Sequence, residues 1–178
     1  MKKFLITAII IAIVASLAAT PVLAAGKTSR AGKSNIGHLY LFEKDPATWE
    51  IVEGGAWGKM KYNLSGSTFD FVFNGHELLP GSDYTLIYYP DKEGNPWPRT
   101  DILCLASGTA DEYGNIHLAA SVEPDSDLPM AAIDINTGAK IWLVLSSDVD
   151  CEAGIMSGWQ PTEYLFEYDL ITFDDTDV

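Results

Sequence analysis

Residues 67–74 read Ser67-Thr68-Phe69-Asp70-Phe71-Val72-Phe73-Asn74. Phe69, Phe71 and Phe73 recur at every second position, with Asp70 and Asn74 on the alternate set. Successive side chains of an extended chain point to opposite faces, so three phenyl rings share one face of a strand. A 3.6-residue helical period would scatter the same rings around the axis. Trp57–Leu64 repeats the pattern: Met60, Tyr62 and Leu64 are expected inward, and Lys59 and Lys61 outward, as lysines guarding an edge strand would be. Ile141–Leu145 is different, being apolar at every position, which predicts a strand placed centrally in a sheet covered on both faces.

Working outward, short apolar runs bounded by Gly, Pro, Asn or Asp predict further strands at 38–43, 49–52, 84–89, 103–110, 116–122 and 164–173. Asp111-Glu112-Tyr113-Gly114-Asn115 reads as a hairpin turn between two of them. No segment shows a sustained helical period with caps. About nine antiparallel strands over residues 37–173 predict an all-β fold, a single-domain β-sandwich, with a closed β-barrel as the alternative. Residues 123–138 and 148–162 are longer than ordinary connections, and long loops are where function concentrates.

The first 24 residues have the parts of a secretory signal peptide: Lys2 and Lys3, an apolar run from Phe4 to Ala19, then Pro21 and the small-residue site Val22-Leu23-Ala24. Cleavage is expected after Ala24, or after Ala25; the competing interpretation is an uncleaved anchor, since no charge occurs from Phe4 to Gly26. Export implies a secreted or cell-surface protein with no stable membrane insertion once the signal is removed. Residues 25–36 read as a flexible basic arm carrying Lys27, Arg30 and Lys33, expected to be a passive spacer or, as the alternative, to dock on the acidic body of a neighbouring copy, and residues 174–178 as a frayed acidic tail.

The 178-residue chain carries 25 acidic against 11 basic residues, a net charge of −14. All 25 acids but only six bases lie from Ser34 onward, a net of −19. Such a body repels a phosphate backbone, which excludes non-specific nucleic-acid binding. An apolar content of 47% excludes a disordered chain. Two cysteines, Cys104 and Cys151, are too few for a disulfide-dense miniature fold or a four-thiolate zinc site. In an exported protein they are expected to pair, the alternative being a buried free Cys104 and an unrelated Cys151.

Leu78-Leu79-Pro80-Gly81-Ser82-Asp83-Tyr84 resembles the tyrosine corner of fibronectin type III domains, where a Pro-Gly turn leads into a strand whose first Tyr hydrogen-bonds back across the corner. The resemblance implies a sandwich with Pro80, Gly81 and Tyr84 forming the corner. The topology must differ, since some ninety residues follow where the family has one further strand. Longer stretches (EKDPATWEIVEGGAWGKMKYN, FNGHELLPGSDYTLIYYPD, AKIWLVLSSDV and GWQPTEYLFEYDLITF) are similar to uncharacterised secreted proteins of methanogenic archaea and some bacteria. That similarity implies a secreted β domain and carries no activity with it.

Catalytic signatures are sparse. His76-Glu77 begins like HExxH, but Pro80 stands where the second His belongs, and His38, His76 and His117 have no local ligand spacing. No nucleophile elbow, phosphate loop or dinucleotide glycine pattern occurs. A secreted hydrolase using two carboxylates needs only spatial proximity, which composition does not test. Asp125, Asp127, Asp148, Asp150 and Glu152 lie in or beside the two long loops, so a structural calcium clip is one expectation and a solvated acidic surface the other. Trp142 reads as core, whereas Trp57, Trp97 and Trp159 sit among Gly or Pro, where indoles either stack on a sugar ring or fold back over the sandwich ends. These features predict a non-catalytic exported binding or structural module, with a carbohydrate-binding module as the alternative and a glycan or protein as partner.

Overall fold

The computed structural model describes residues 34–94, 97 and 99–178; the segment expected to be a signal peptide and residues 25–33 of the expected arm lie outside the described residues. Among the described residues the strands are β1 (Ile36–Phe42), β2 (Trp57–Asn63), β3 (Ser65–Gly66), β4 (Phe69–His76), β5 (Asp83–Tyr88), β6 (Leu103–Thr109), β7 (Ile116–Val122), β8 (Ile141–Leu145), β9 (Val149–Asp150), β10 (Ile155–Met156), β11 (Phe166–Glu167) and β12 (Asp174–Asp175). The helical elements there are single 3-10 turns at Ser146–Asp148 and Pro161–Glu163.

A five-stranded antiparallel sheet in the order β11-β1-β2-β4-β7 faces a three-stranded antiparallel sheet in the order β6-β5-β8. Neither closes on itself, so the fold is a β-sandwich and not a barrel. The phenyl rings of Phe69, Phe71 and Phe73 enter the core between the sheets, with Leu39, Met60 and Tyr62 from the same sheet and Tyr84, Leu86, Tyr88, Ile141 and Leu143 from the other.

The alternate side chains of the three-stranded sheet are buried as well. Ile87, Trp142 and Val144 point away from the sandwich into a second core with Val149, Met156, Tyr164 and Phe166. The expectation from Ile141–Leu145 thus holds for burial on both faces, but β8 lies at the sheet's edge rather than its centre. Leu165 and Ile171 bridge to Leu143 and Ala139 along the free side, so the backbone groups there are paired although no full strand forms.

Other expectations are corrected. Lys59 and Lys61 lie on β2, which has partners on both sides, so they project from a sheet face and do not guard an edge; the Lys59 ammonium stands 5.3 Å from the Tyr40 ring centroid. Leu64 is exposed because the chain has left β2 there, its backbone joining Asn35 and Asp174 instead. Residues 49–52 make one bridge, Lys44 with Ile51, and residues 164–173 form broken pairings rather than one strand. The Asp111–Asn115 turn does close, with the Asp111 carboxylate accepting the N–H groups of Tyr113 and Asn115, but β6 and β7 enter opposite sheets, so it is an arch and not a hairpin. Ile36, assigned to the arm, opens β1. In the acidic tail, Asp174–Asp175 pairs with Ser65–Gly66, and buried Asp175 donates its N–H to Asp127.

At the corner, Leu79 to Ser82 form a turn closed by the Ser82 N–H on the Leu79 carbonyl. Gly81 occupies a positive φ of 74°, and the Tyr84 hydroxyl accepts the Leu79 N–H at 3.2 Å. Cys104 on β6 and Cys151 beside β9 form a disulfide, tying the three-stranded sheet to the loop over its outer face. Among the described residues no helix is long and apolar enough to cross a membrane.

Two stability measurements follow. The bridge spans 47 residues, so replacing both cysteines with serine is expected to cost about 4 kcal/mol and lower Tm by roughly 10 °C, read by thermal denaturation against the oxidised protein. Burial raises the hydroxyl pKa values of Tyr84, Tyr88 and Tyr164, and in the latter two the hydrogen-bonded aspartate raises them further. The unfolded chain therefore releases these protons first, so this stabilisation is complete below the ordinary tyrosine value near 10 and declines as pH rises beyond it. Tyrosinate absorbance of these residues should appear together with loss of near-ultraviolet circular dichroism; a separate, earlier titration of all eight tyrosines would contradict this.

Candidate functional site

Beyond the end of β5 the chain stays extended, and the Tyr89 N–H donates to the Lys140 carbonyl at 2.9 Å just ahead of β8. Two-residue alternation then places Tyr89 and Asp91 on the same outward face as Ile87, and Lys140 on the same face as Trp142. The Tyr89 and Trp142 rings stack at 3.8 Å with an interplanar angle of 18°. Trp159 stands 6.1 Å from Trp142, and Trp97 meets Trp159 edge-on at 6.0 Å. Trp49 packs edge-on against Phe166 at 5.0 Å.

Together these four tryptophans and Tyr89, with Asp91, Arg99 and Lys140, line a cavity of about 650 Å³. Small-ligand sites have about this volume and this make-up, apolar walls with few polar groups. Trp142 is 6% exposed and serves as floor, while Trp49, Trp97 and Trp159 are 50%, 50% and 43% exposed and form the rim. Trp97 and Trp159 therefore meet in one site, as a stacking role requires. Trp57 does not join them; its ring lies tilted against His76 at 4.6 Å, on the outer face of the five-stranded sheet.

The polar side of the cavity is an ion pair. The Lys140 ammonium donates to the Asp91 carboxylate, and the Asn136 amide donates to the same carboxylate at 3.1 Å. Burial on its own would raise the Asp91 pKa, but these hydrogen bonds and the charges of Lys140 and Arg99 outweigh it and hold the carboxyl below its ordinary value. Arg99 also lies against the Tyr89 hydroxyl, where its charge opposes the upward push of burial without cancelling it. Trp142 donates its indole N–H to Glu167, whose pKa burial raises despite the nearby lysines.

Both long loops are pinned beneath the cavity by the same device. In the first, Tyr88 donates its O–H to Asp134 at 2.7 Å and accepts the Met130 N–H, and Asp134 in turn accepts the Asn136 N–H. In the second, Tyr164 donates its O–H to buried Asp148 and accepts the Gln160 N–H, while the Gln160 amide also donates to Asp148. The Ser157 and Gly158 N–H groups donate to the Asp148 carbonyl, so one aspartate holds the whole approach to Trp159. Trp49 is aimed by a turn in which Asp45 accepts the N–H groups of Ala47 and Thr48, and it takes a positive φ of 61°, unusual for a bulky residue.

The calcium clip is not assembled. Among the described residues no three or more His, Cys, Asp or Glu side chains gather to hold a metal. Asp148 serves Tyr164 and Gln160, Asp150 accepts the N–H groups of Glu152 and Ala153, and Asp127 accepts that of Asp175. Asp125 and Glu152 are exposed, and Asp125 adopts a positive φ of 55°. Nor does the aromatic cavity present two facing acids, since Asp91 is the one carboxylate among its lining residues.

Comparisons with protein-family models, with curated proteins and with solved structures find no match to the chain. Site and fold therefore define it as a β-sandwich domain with a tryptophan-lined cavity. Sequence reasoning found Trp97 and Trp159, assigned Trp142 to the core alone, and missed Trp49, Tyr89, Asp91, Arg99 and Lys140. The available signal was alternation carried past the strand ends, through Tyr89 to Asp91 and from Trp142 back to Lys140.

Asp148→Asn should leave the Tyr164 hydroxyl and the Gln160 amide competing for a weaker acceptor, at a cost of about 1–3 kcal/mol. A Cβ at Gly158 would collide with the Asp148 carboxylate, so Gly158→Ala is expected to cost a similar amount, about 1–3 kcal/mol, through forced displacement. Both should alter tryptophan emission as Trp159 moves, measured by fluorescence alongside urea denaturation.

Proposed function

We propose that this domain is a non-catalytic module of an exported protein, secreted or held at the cell surface, and that it binds a glycan in the tryptophan-lined cavity. The observation that carries this reading is the convergence of three half-exposed indoles on one cavity whose floor is already stacked. Leaving large apolar faces in water is unfavourable, and here Trp159 is held half-exposed by the hydrogen bonds of buried Asp148 rather than allowed to collapse inward. A sugar ring offers what such walls accept, an apolar C–H face for the indoles and equatorial hydroxyls for the charged rim. A disulfide fits an oxidising compartment, which supports export. A purely structural role explains the sandwich but gives no reason for an open aromatic cavity.

The reading is tested by titrating intrinsic tryptophan fluorescence with a panel of polysaccharides. A saturable change is expected with at least one, weakened about tenfold or more (roughly 1.4 kcal/mol) in Trp97→Ala and in Trp159→Ala. Trp57→Ala, on the other sheet, should bind like the parent. No response to any glycan would reject a sugar ligand and leave a protein partner as the alternative.

A further inference from the structure

The cavity's charge runs against that of the domain around it. Only six of the residues from Ser34 onward are Lys or Arg, against 25 acids. Two of those six, Arg99 and Lys140, line this cavity together with a single carboxylate, Asp91. The lining therefore carries a net charge of one positive in a domain whose formal charge is strongly negative. Its hydrogen-bonding capacity is equally lopsided. One Asp91 oxygen already accepts from both Lys140 and Asn136. The Lys140 ammonium has three donors, of which one meets Asp91, and the Arg99 guanidinium, already engaged with the Tyr89 hydroxyl, presents its N–H groups in a planar fork. The Trp142 indole N–H is committed to Glu167. The charged rim thus holds two N–H-bearing cations against one carboxylate, and its natural complement is an anionic ligand.

Resting on the glycan reading, we propose that the cavity selects a sugar bearing one carboxylate, a uronic acid residue within an otherwise neutral glycan, with the ring against the indoles and the carboxylate between Arg99 and Lys140. A guanidinium matches a carboxylate through two parallel hydrogen bonds, and a charged partner strengthens each of them. The same electrostatics reject two other ligand classes. A cationic ligand, which an aromatic cage would otherwise suit, meets Arg99 and Lys140 directly. An extended polyanion satisfies the cavity with one charge and then runs its remaining charges across the acidic surface, within the Debye length of about 8 Å at physiological salt.

The test uses the full domain with uronate-bearing oligosaccharides on several neutral backbones, each paired with its carboxyl-reduced counterpart, and measures affinity by calorimetry and tryptophan fluorescence. The acid is expected to bind at least tenfold more tightly than its reduced partner. Arg99→Gln should bring the ratio of acid to reduced-form affinity close to one, with near-ultraviolet circular dichroism and thermal denaturation showing that the variant is folded; Lys140→Gln gives a second reading of the same preference. Equal affinity for acid and reduced forms, or a preference that survives both substitutions, overturns the charge selection while leaving the glycan site standing. Tighter binding of a fully charged polyuronate than of the singly charged glycan also overturns it. If no member of any pair binds, or if only a peptide carboxylate does, the glycan reading itself fails and this proposal with it.

Discussion

The side chains of β5 and β8 that point away from the sandwich are as apolar as those that point into it, and this obliges the three-stranded sheet to be covered twice. The five-stranded sheet supplies one cover through the phenylalanine face of β4 and its neighbours. The other comes from the segment running from β9 into β11, whose Val149, Met156, Tyr164 and Phe166 close over Ile87, Trp142 and Val144. At about 25 cal/mol per Å² of apolar surface removed from water, leaving such a face bare would remove a large part of the folding free energy. The disulfide secures this second cover, since it joins β6 of the covered sheet to the start of the covering loop. The tryptophan-lined cavity lies where the cover stops short, at the ends of β5 and β8.

A loop that covers a sheet brings backbone polar groups with it, and these need partners away from water. Three buried tyrosines meet that need in the same way: Tyr84, Tyr88 and Tyr164 each accept a backbone N–H at the phenolic oxygen. In Tyr88 and Tyr164 the hydroxyl also donates a hydrogen bond to a buried aspartate, Asp134 or Asp148. Asp134 and Asp148 are thus structural acceptors, committed to tyrosine hydroxyls and to neighbouring N–H groups. This is why Trp159 can be held half-exposed: the chain on both sides of it is fixed by Asp148 through side-chain and backbone bonds. Rigid aromatic walls lose little conformational entropy when a ligand settles on them.

The chain by itself determined what depends on neighbours in sequence. The alternation of Phe69, Phe71 and Phe73 specified a strand with one buried face, and the uninterrupted apolar run Ile141–Leu145 specified burial on both. The Pro80-Gly81 turn and Tyr84 made the corner readable, because its hydrogen bond spans five residues. What only the tertiary structure decided is where strands that look alike were placed: β6 and β7 parted into different sheets, β2 became interior and β8 an edge. Alternation records which face of a strand is buried and carries no record of which strand lies beside it. The cavity belongs to the same class of fact. Its walls come from residues 49, 89, 91, 97, 99, 140, 142 and 159; alternation sets Lys140 on the face of Trp142, but nothing local marks Trp49 as a member of the same site. Trp142 was legible as core and could not be seen also as a floor, since burial by neighbours and the space left where they end are both set by the fold.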